Sequence, residues 1–466
     1  MNNFITTEKK GKTLNETNIL MDFGYIEKNK LIKNLLKKFL KNLSEKKLDE
    51  KSQDLYSNWL KLFKLPSPTN TEYIRQRRRA LEQIYNTKID ENNEHQAVFS
   101  IHTTVSIITK LLIYSILSEL NNQPAIDSTL FDKKSLKKIF EDIESGKTYE
   151  NLGITNMCQY DFFSWYLNTE FDNEMFALLS SLKNKVNKYK YIETNIDKIK
   201  DTIQALYENL VPKEIRHSFG ETYTPQIHAD IILNKSKEFL KDKISYKAID
   251  PTCGSGVFLL SVIKDKINSN RIEQIFDEVV GIDLNPIATI MAKFNYILAT
   301  YPYLIKKGKM PSNLEIPIYL GNSLDIPNIE KINNFDLIIG NPPWIRWSIL
   351  PLEYRNKIKK SLRDEGLFSK DTNYGGIDLN TSALIAHNVI KNLLNEKGVL
   401  SFIFPYGVLM NKSYDGFRNL KFGNKIMEIK MIIQFTKPIF KEEESVVLIL
   451  QNSEIIEEKQ KQLNLI

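Results

Sequence analysis

Asp336-Leu-Ile-Ile-Gly-Asn-Pro-Pro-Trp-Ile-Arg-Trp347 sets an apolar run against two consecutive prolines. Residues 337–339 read as a buried parallel strand. Gly340 ends it, and the prolines, which lack N–H donors, forbid the ladder from continuing. The result is a stiff loop at the carboxyl end of a strand, presenting one carboxamide (Asn341) beside one indole (Trp344). An amide offers an acceptor and donors, and an indole offers a flat π face. Together they suit a planar ring with hydrogen-bonding edges, such as a nucleobase. The bland reading of the same residues is a strand stopped by Pro-Pro with a packing tryptophan.

Working outward, short apolar runs alternate with helical patterns from about Pro212 onward, the signature of a βαβ sheet. The spacing predicts strands near 247–249, 279–282, 318–320, 337–339, 400–404, 431–435 and 446–450, with helices at 255–266, 286–298 and 381–395. Asn285-Pro286 is a helix start, with Asn as cap and Pro in the first turn. Upstream, residues 56–207 read mainly helical, with long periodic runs at 98–120 and 196–210. Residues 30–48 form a basic amphipathic stretch in which Leu31, Leu35, Leu36 and Leu40 recur at helical spacing. The expected fold class is α/β, preceded by a mainly α-helical N-terminal domain. The expected boundaries are 1–210 for the helical domain, 211–455 for the sheet domain and 456–466 for a polar tail.

Composition narrows the setting. With 466 residues, the chain is long enough for two or three domains with full cores. Its 42% hydrophobic and 26% charged residues are those of a globular protein. The longest apolar candidate for a membrane span, residues 105–117, is short and interrupted by Lys110. The Lys-rich start lacks the apolar segment of a secretion signal. Cys158 and Cys253 make neither a disulfide framework nor a metal-ligand set, which points to a reducing cytoplasm. His102 and His217 have no metal-like company, so core or capping roles are expected, and no metal. The net charge of +7 is compatible with a polyanionic partner without demonstrating one, because the lysine excess runs through the whole chain.

The first strand of the sheet half ends in Asp250-Pro-Thr-Cys-Gly-Ser-Gly256. A strand, a glycine turn and a helix let the backbone approach a ligand closely at the switch point of a doubly wound sheet. The turn lacks the third glycine of the dinucleotide fingerprint and the Gly-Lys-Ser/Thr ending of a P-loop, so neither a pyrophosphate nor a triphosphate is indicated. The second strand ends at Asp283, placed to accept hydrogen bonds from ribose hydroxyls. Its alternative role is an acidic charge at a helix N-terminus. Asp250, Gly254, Gly256 and Asp283 together indicate a nucleoside cofactor without phosphate, and S-adenosylmethionine fits that description.

With these residues placed, the chain resembles the N6-adenine DNA methyltransferases, in the order where cofactor motifs precede the catalytic one. The Asp250 turn, including Thr252, is similar to the first cofactor motif, residues 281–286 to the second, and Gly321-Asn-Ser-Leu324 to the third. Asn341-Pro-Pro-Trp344 resembles the catalytic fourth. Gly220-Glu-Thr-Tyr-Thr-Pro225, with Thr224, resembles the segment that closes over the methionine end of the cofactor. Asp378-Leu379, residues 398–408 and residues 440–450 resemble later motifs. The resemblance covers about residues 215–452 and implies a Rossmann-like, S-adenosylmethionine-dependent methyltransferase sheet. It also implies double-stranded DNA as partner and a place in a restriction–modification system. The helical half, with Trp59-Leu-Lys-Leu-Phe63 and Ile101-His-Thr-Thr104, resembles more loosely what precedes the methylase in type IIG restriction–modification enzymes.

The resemblance assigns the catalytic roles to Asn341, Pro342, Pro343 and Trp344. The Asn341 amide oxygen and the Pro342 carbonyl accept from the adenine amine, while the base stacks on Trp344. Phe440 is a candidate second wall, with a core role as its alternative. Two departures stand out. The third motif usually carries an acid that accepts from the cofactor's adenine amine, and here it has Asn322. Relatives also carry a target-recognition domain after the last sheet motif, where this chain has a short polar tail. This leaves three expectations beside the active methylase. One is a truncated, non-catalytic module that binds cofactor or a partner without turnover. Another is a partner-dependent methylase whose recognition domain sits on a separate specificity or restriction subunit. The third is a fragment of a bifunctional restriction enzyme. A glutamine methyltransferase shares Asn-Pro-Pro-aromatic chemistry, but those chains are shorter and carry Tyr. A fused nuclease would need clustered carboxylates with lysine, for which Asp142 and Glu144 are weak candidates.

Overall fold

The computed structural model describes residues 12–24, 29–45, 48–65, 71–123, 132–190, 196–218, 221, 223–309, 313–367, 379–440 and 444–453. They fall into two compact units, one of Met1–Tyr56, Leu81–Pro212 and Pro311–Asn313, the other of Ser57–Ala80, Lys213–Met310 and Leu314–Ile466.

The first unit is built around helix α1 (Glu94–Leu120), whose 27 residues are buried along nearly their whole length. Helices Lys30–Glu45, Asn173–Val186 and Ile196–Leu210 pack on it. Within Lys30–Glu45 the buried stripe is Ile32, Leu35, Leu36, Phe39, Leu40 and Leu43, so Ile32 rather than Leu31 faces inward. Helix α1 is longer than the apolar run read from the sequence. It is long and apolar enough to cross a bilayer, yet 94% of its most apolar 18-residue stretch is buried inside the protein. Its Lys110 is neutralised by Glu144 at 2.5 Å. Tyr166 Oη donates to Glu144 Oε1 at 3.1 Å, and Tyr149 Oη to the Lys110 carbonyl at 2.8 Å. His102 is fully buried, and burial drops its imidazole to about 3, leaving it neutral.

The second unit carries an eight-stranded sheet. Its strands are β1 (Ala248–Asp250), β2 (Val279–Asp283), β3 (Ile318–Leu320), β4 (Phe335–Gly340), β5 (Leu394–Pro405), β6 (Lys421–Phe422), β7 (Lys425–Ile433) and β8 (Ser445–Asn452). The spatial order is β6-β7-β8-β5-β4-β1-β2-β3. Strands β5, β4, β1, β2 and β3 are mutually parallel, while β8 runs antiparallel to both β5 and β7. The chain winds outward from β1 through β2 to β3, then returns to the far side of β1 for β4 and β5. The order therefore reverses between β1 and β4, which opens a crevice at their carboxyl ends. This is the α/β sheet that the alternation after Pro212 predicts.

Helices α2 (Gln226–Ser236), α3 (Val257–Asn268), α4 (Pro286–Lys307), α5 (Leu352–Asp364) and α6 (Thr381–Leu393) complete the unit. The core beside α6 takes Val280 and Ile282 from β2, and Leu400, Phe402 and Phe404 from β5. That is the period-two alternation of strands. Asn285 Oδ1 accepts from Ile287 N at 3.0 Å, as an N-cap should. Helix α4 runs past its expected end and through Pro302. A proline inside a helix costs about 3 kcal/mol. Burying Tyr301 and Leu304 offsets it, at roughly 1.5–3 kcal/mol per large apolar side chain. Helix α6 passes straight into β5, and Lys425 Nζ donates to the Ile390, Lys391 and Leu394 carbonyls at that junction.

Candidate active site

The site is assembled at the carboxyl ends of β1, β2 and β4. Strand β1 delivers Asp250, 1% exposed, whose Oδ1 accepts from Thr252 N at 3.0 Å. The chain then turns through Cys253, whose N–H donates to the Ile282 carbonyl at 2.8 Å and docks the turn on β2. Gly254 (φ +54°) and Gly256 (φ +92°) hold left-handed conformations that disfavour any side chain. A Cβ on Gly254 would meet nothing within 4 Å, so this glycine opens onto the crevice. A Cβ on Gly256 would stand 3.6 Å from Ala292, against α4. Cys253 is buried and its thiol is pushed well up by burial, with the Asp283 and Asp250 charges adding to that, so it is a packing group and not a nucleophile.

Strand β2 delivers Asp283. Its Oδ2 accepts from Gly254 N and its Oδ1 from Asn285 N, both at 2.8 Å. Burial lifts its carboxyl to about 6, against backbone N–H bonds that pull it down. Asp250 is also pushed well above the usual carboxylate range, by burial first and then by the neighbouring Asp283 charge. The Asp283 carboxylate thus ties the first turn to the second strand and leaves lone pairs for hydroxyl donors.

One pocket is lined by Thr224, Asp250, Thr252, Gly254, Asp283, Asn341 and Pro343, so seven of the residues singled out in the sequence come together. Gly256, Pro342 and Trp344 are not on its wall. Asn322 lines an adjoining pocket that shares Thr252, Leu284 and Pro343 with the first. Its Oδ1 accepts from Leu324 N at 3.0 Å, so the oxygen expected to read an amine also holds a local turn. Gly220, Thr222 and Asp378 lie outside the described residues, as does the His217 side chain.

Sequence reasoning takes in Glu221 and Asn285 only as members of quoted motifs and gives neither a part of its own in the site. Both line the first pocket, and Asn285 Nδ2 donates to Glu221 Oε1 at 2.5 Å. Asn285 was legible only as a cap, because its second bond joins segments distant in sequence. The Thr252 and Ser255 hydroxyls are buried on the pocket wall with no hydrogen-bond partner in the protein. Three carboxylates (Glu221, Asp250 and Asp283), two unsatisfied hydroxyls and an open glycine make a lining that fits a nucleoside bearing an amino acid. Among the described residues no group of three or more His, Cys, Asp or Glu could hold a metal ion.

Strand β4 delivers Asn341 from the other side of the switch point. Trp344 is fixed by two contacts. Its Nε1 donates to the Ile403 carbonyl at 3.4 Å, and its ring meets Phe440 edge to face at 5.2 Å and 86°. Phe440, 8% exposed, packs as a core aromatic against Trp344. Beyond Trp344 the chain pairs with the start of α6: Trp347 N donates to the Leu379 carbonyl at 2.7 Å, and Thr381 N to the Ile345 carbonyl at 2.9 Å.

Residues 198–463 match the sequence profile of the family described as N-6 DNA Methylase. The type II methyltransferase M.VspI of Vibrio sp. (strain 343) is 26% identical over 240 residues, 51% of this chain and 48% of that protein. The type II methyltransferase M.BanIII of Aneurinibacillus aneurinilyticus is 32% identical over 155 residues, 32% of this chain and 26% of that one. The chain thus spans about half or less of the length of these curated relatives. Among solved structures, the type IIG restriction endonuclease BpuSI aligns with a TM-score of 0.50 at 16% identity. That alignment covers 76% of this chain and 37% of the other, and the likeness is one of fold.

Proposed function

The chain belongs to the N-6 DNA methylase family, and from that premise we propose that it transfers a methyl group from S-adenosylmethionine to the N6 amine of a flipped adenine in double-stranded DNA. The observation that carries this reading is the convergence of Asn341, from β4, with Asp250, Thr252 and Asp283, from β1 and β2, on one pocket wall. The cofactor supplies an electrophilic methyl group on a sulfonium. Asp283 would accept from its ribose hydroxyls, and the Thr252 and Ser255 hydroxyls and the Gly254 backbone would line its cradle. Gly256 would shape the turn that starts α3, Thr224 would close the methionine end, and Asn322 would serve the base end.

The adenine amine is a poor nucleophile because its lone pair is delocalised into the ring. The Asn341 amide oxygen and the Pro342 carbonyl accept its two N–H bonds, which draws the nitrogen toward tetrahedral geometry and turns its lone pair to the methyl group. Trp344 provides a face for the extruded base, and Pro343 holds the loop's shape. Positioning and electrostatics lower the barrier, so neither a strong base nor a covalent enzyme intermediate is required. In Asn341→Ala, labelled cofactor should still bind while methyl transfer falls by roughly two orders of magnitude or more. Transfer at near wild-type rate would sink the mechanism.

The chain acts as the cytoplasmic modification component of a restriction–modification system, alongside a specificity or restriction subunit. This extension is supported by the chain's similarity to two type II methyltransferases. Methylation that is weak with the chain alone and restored by a recognition subunit supports it. Full site-specific methylation by the chain alone would refute it.

A further inference from the structure

Pro342 and Pro343 carry no N–H, so the loop that presents Asn341 is two backbone donors short at the point where its geometry matters most. Something other than a ladder must hold it, and a single hydroxyl does. Thr381 Oγ1 donates to the Pro343 carbonyl and accepts from Ile345 N at 3.2 Å, so one side chain bridges both flanks of Trp344. The Thr381 N–H would be an orphan donor in the first turn of α6, and the Ile345 carbonyl takes it at 2.9 Å. Asn380 Oδ1 caps the same helix through Ser382 N at 3.1 Å. Thr381 is 5% exposed, so water does not replace these bonds.

We infer that Thr381 is a positioning residue for the transfer step, its hydroxyl locking the Pro343–Ile345 backbone so that the Pro342 carbonyl and the Trp344 ring face the target base. A hydroxyl has one proton. Once that proton is committed to the Pro343 carbonyl, its oxygen is oriented to accept from Ile345, which fixes the sense of the bridge. Serine preserves this bridge, whereas valine keeps the shape of threonine and removes both bonds. The kinetic part rests on the methyl-transfer reading above; the structural part does not.

The test compares Thr381→Val and Thr381→Ser with wild type in two arms. In steady-state kinetics with S-adenosylmethionine and DNA, the valine variant should lose roughly 10- to 100-fold in kcat. Its KM values should stay within about threefold, and serine should restore kcat to within about threefold. In site-resolved amide exchange, the Ile345 N–H should exchange roughly tenfold faster in the valine variant. The Trp347 N–H, bonded to the Leu379 carbonyl, should not change. Wild-type kcat in the valine variant, a serine variant as impaired as valine, or Ile345 and Trp347 amides loosening together would each overturn the inference. If wild type transfers no methyl group to DNA, the functional reading fails instead, and the exchange arm still decides the role of Thr381.

Discussion

Gly340 and Asp250 stand in contact across the switch point of the sheet: a Cβ on Gly340 would lie 2.6 Å from Asp250 Oδ1 and 3.1 Å from its Cγ. The residue before Asn341 therefore has no side chain because the first acid of the cofactor turn occupies the space. Asp250 cannot swing aside freely, since it is buried and bonded to Thr252 N.

Gly340→Ala should destabilise the protein by about 1–3 kcal/mol, as overpacking does. Where the backbone tolerates it, Gly to Ala stabilises by about 0.4–1 kcal/mol, so the sign is diagnostic. Denaturant unfolding read with a cofactor titration checks this. A rise in stability would show that the close approach relaxes at no cost.

Asp283 predicts a pH dependence. Its folded value of about 6 lies above the usual 3.8, so its contribution to stability is present below pH 4 and is lost as pH rises through 6. On the proposed cofactor reading, affinity should run the other way, because ribose hydroxyls need the ionised acceptor. Affinity should weaken below pH 6 by up to about tenfold per unit. Calorimetric titrations between pH 5 and 8 should show this slope in wild type and a flat profile in Asp283→Asn. An identical slope in the variant would assign the proton elsewhere.

The buried Lys110–Glu144 pair gives a stability test away from the site. Burial alone would lower the lysine, but the Glu144 charge beside it, with Cys158 and Asp161, holds it above its ordinary value. Lys110→Met should cost about 3–5 kcal/mol by stranding Glu144, and a joint Lys110→Met, Glu144→Leu change should recover most of it. Urea midpoints of the two variants decide it, and equal loss in both would show that the charges do not act as a pair.

Lys425 serves the junction of α6 with β5, where no glycine ends the helix. Its ammonium reaches three carbonyls, and Lys425→Met should cost about 1–3 kcal/mol through the acceptors left unmet. Exchange rates along α6 should rise from its C-terminal turn. A variant of unchanged stability would show that solvent serves those carbonyls equally well.

The central strands are legible because each carries a short, mostly apolar run ended by Gly, Pro or Asp, although β5 (Leu394–Pro405) also takes in the polar residues 395–397 ahead of that run, and β3 falls where the spacing places it. The outer strand was displaced: residues 431–435 look apolar, yet β7 is Lys425–Ile433, and its bulge falls at charged Lys430. Half-solvated edge positions lose the alternation that reveals buried strands. Helix α2 was not read, since Ile227 (64% exposed) and Ile231 (38% exposed) place apolar residues outside its buried face and blur the period. Residues chosen for the chemistry of a strand end, Asp250, Asp283 and Asn341, reach one pocket. Glu221 and Asn285 fall within quoted motifs, but their bond to each other, like those of Thr381, joins distant segments, and a single sequence carries no signal for such bonds.

On the proposed mechanism, the two prolines after Asn341 also bear on which bases the loop could admit. Neither Pro342 nor Pro343 has an N–H, so along this stretch the backbone offers lone pairs and nothing to pair with a lone pair. An incoming amine meets acceptors, whereas an exocyclic carbonyl oxygen at the same position meets repulsion. On the proposed mechanism, DNA carrying hypoxanthine at the target position should bind more weakly than DNA carrying 2,6-diaminopurine, and equal affinities would remove backbone chemistry from base selection. Discrimination between the two purines of DNA would then begin with hydrogens that the main chain lacks.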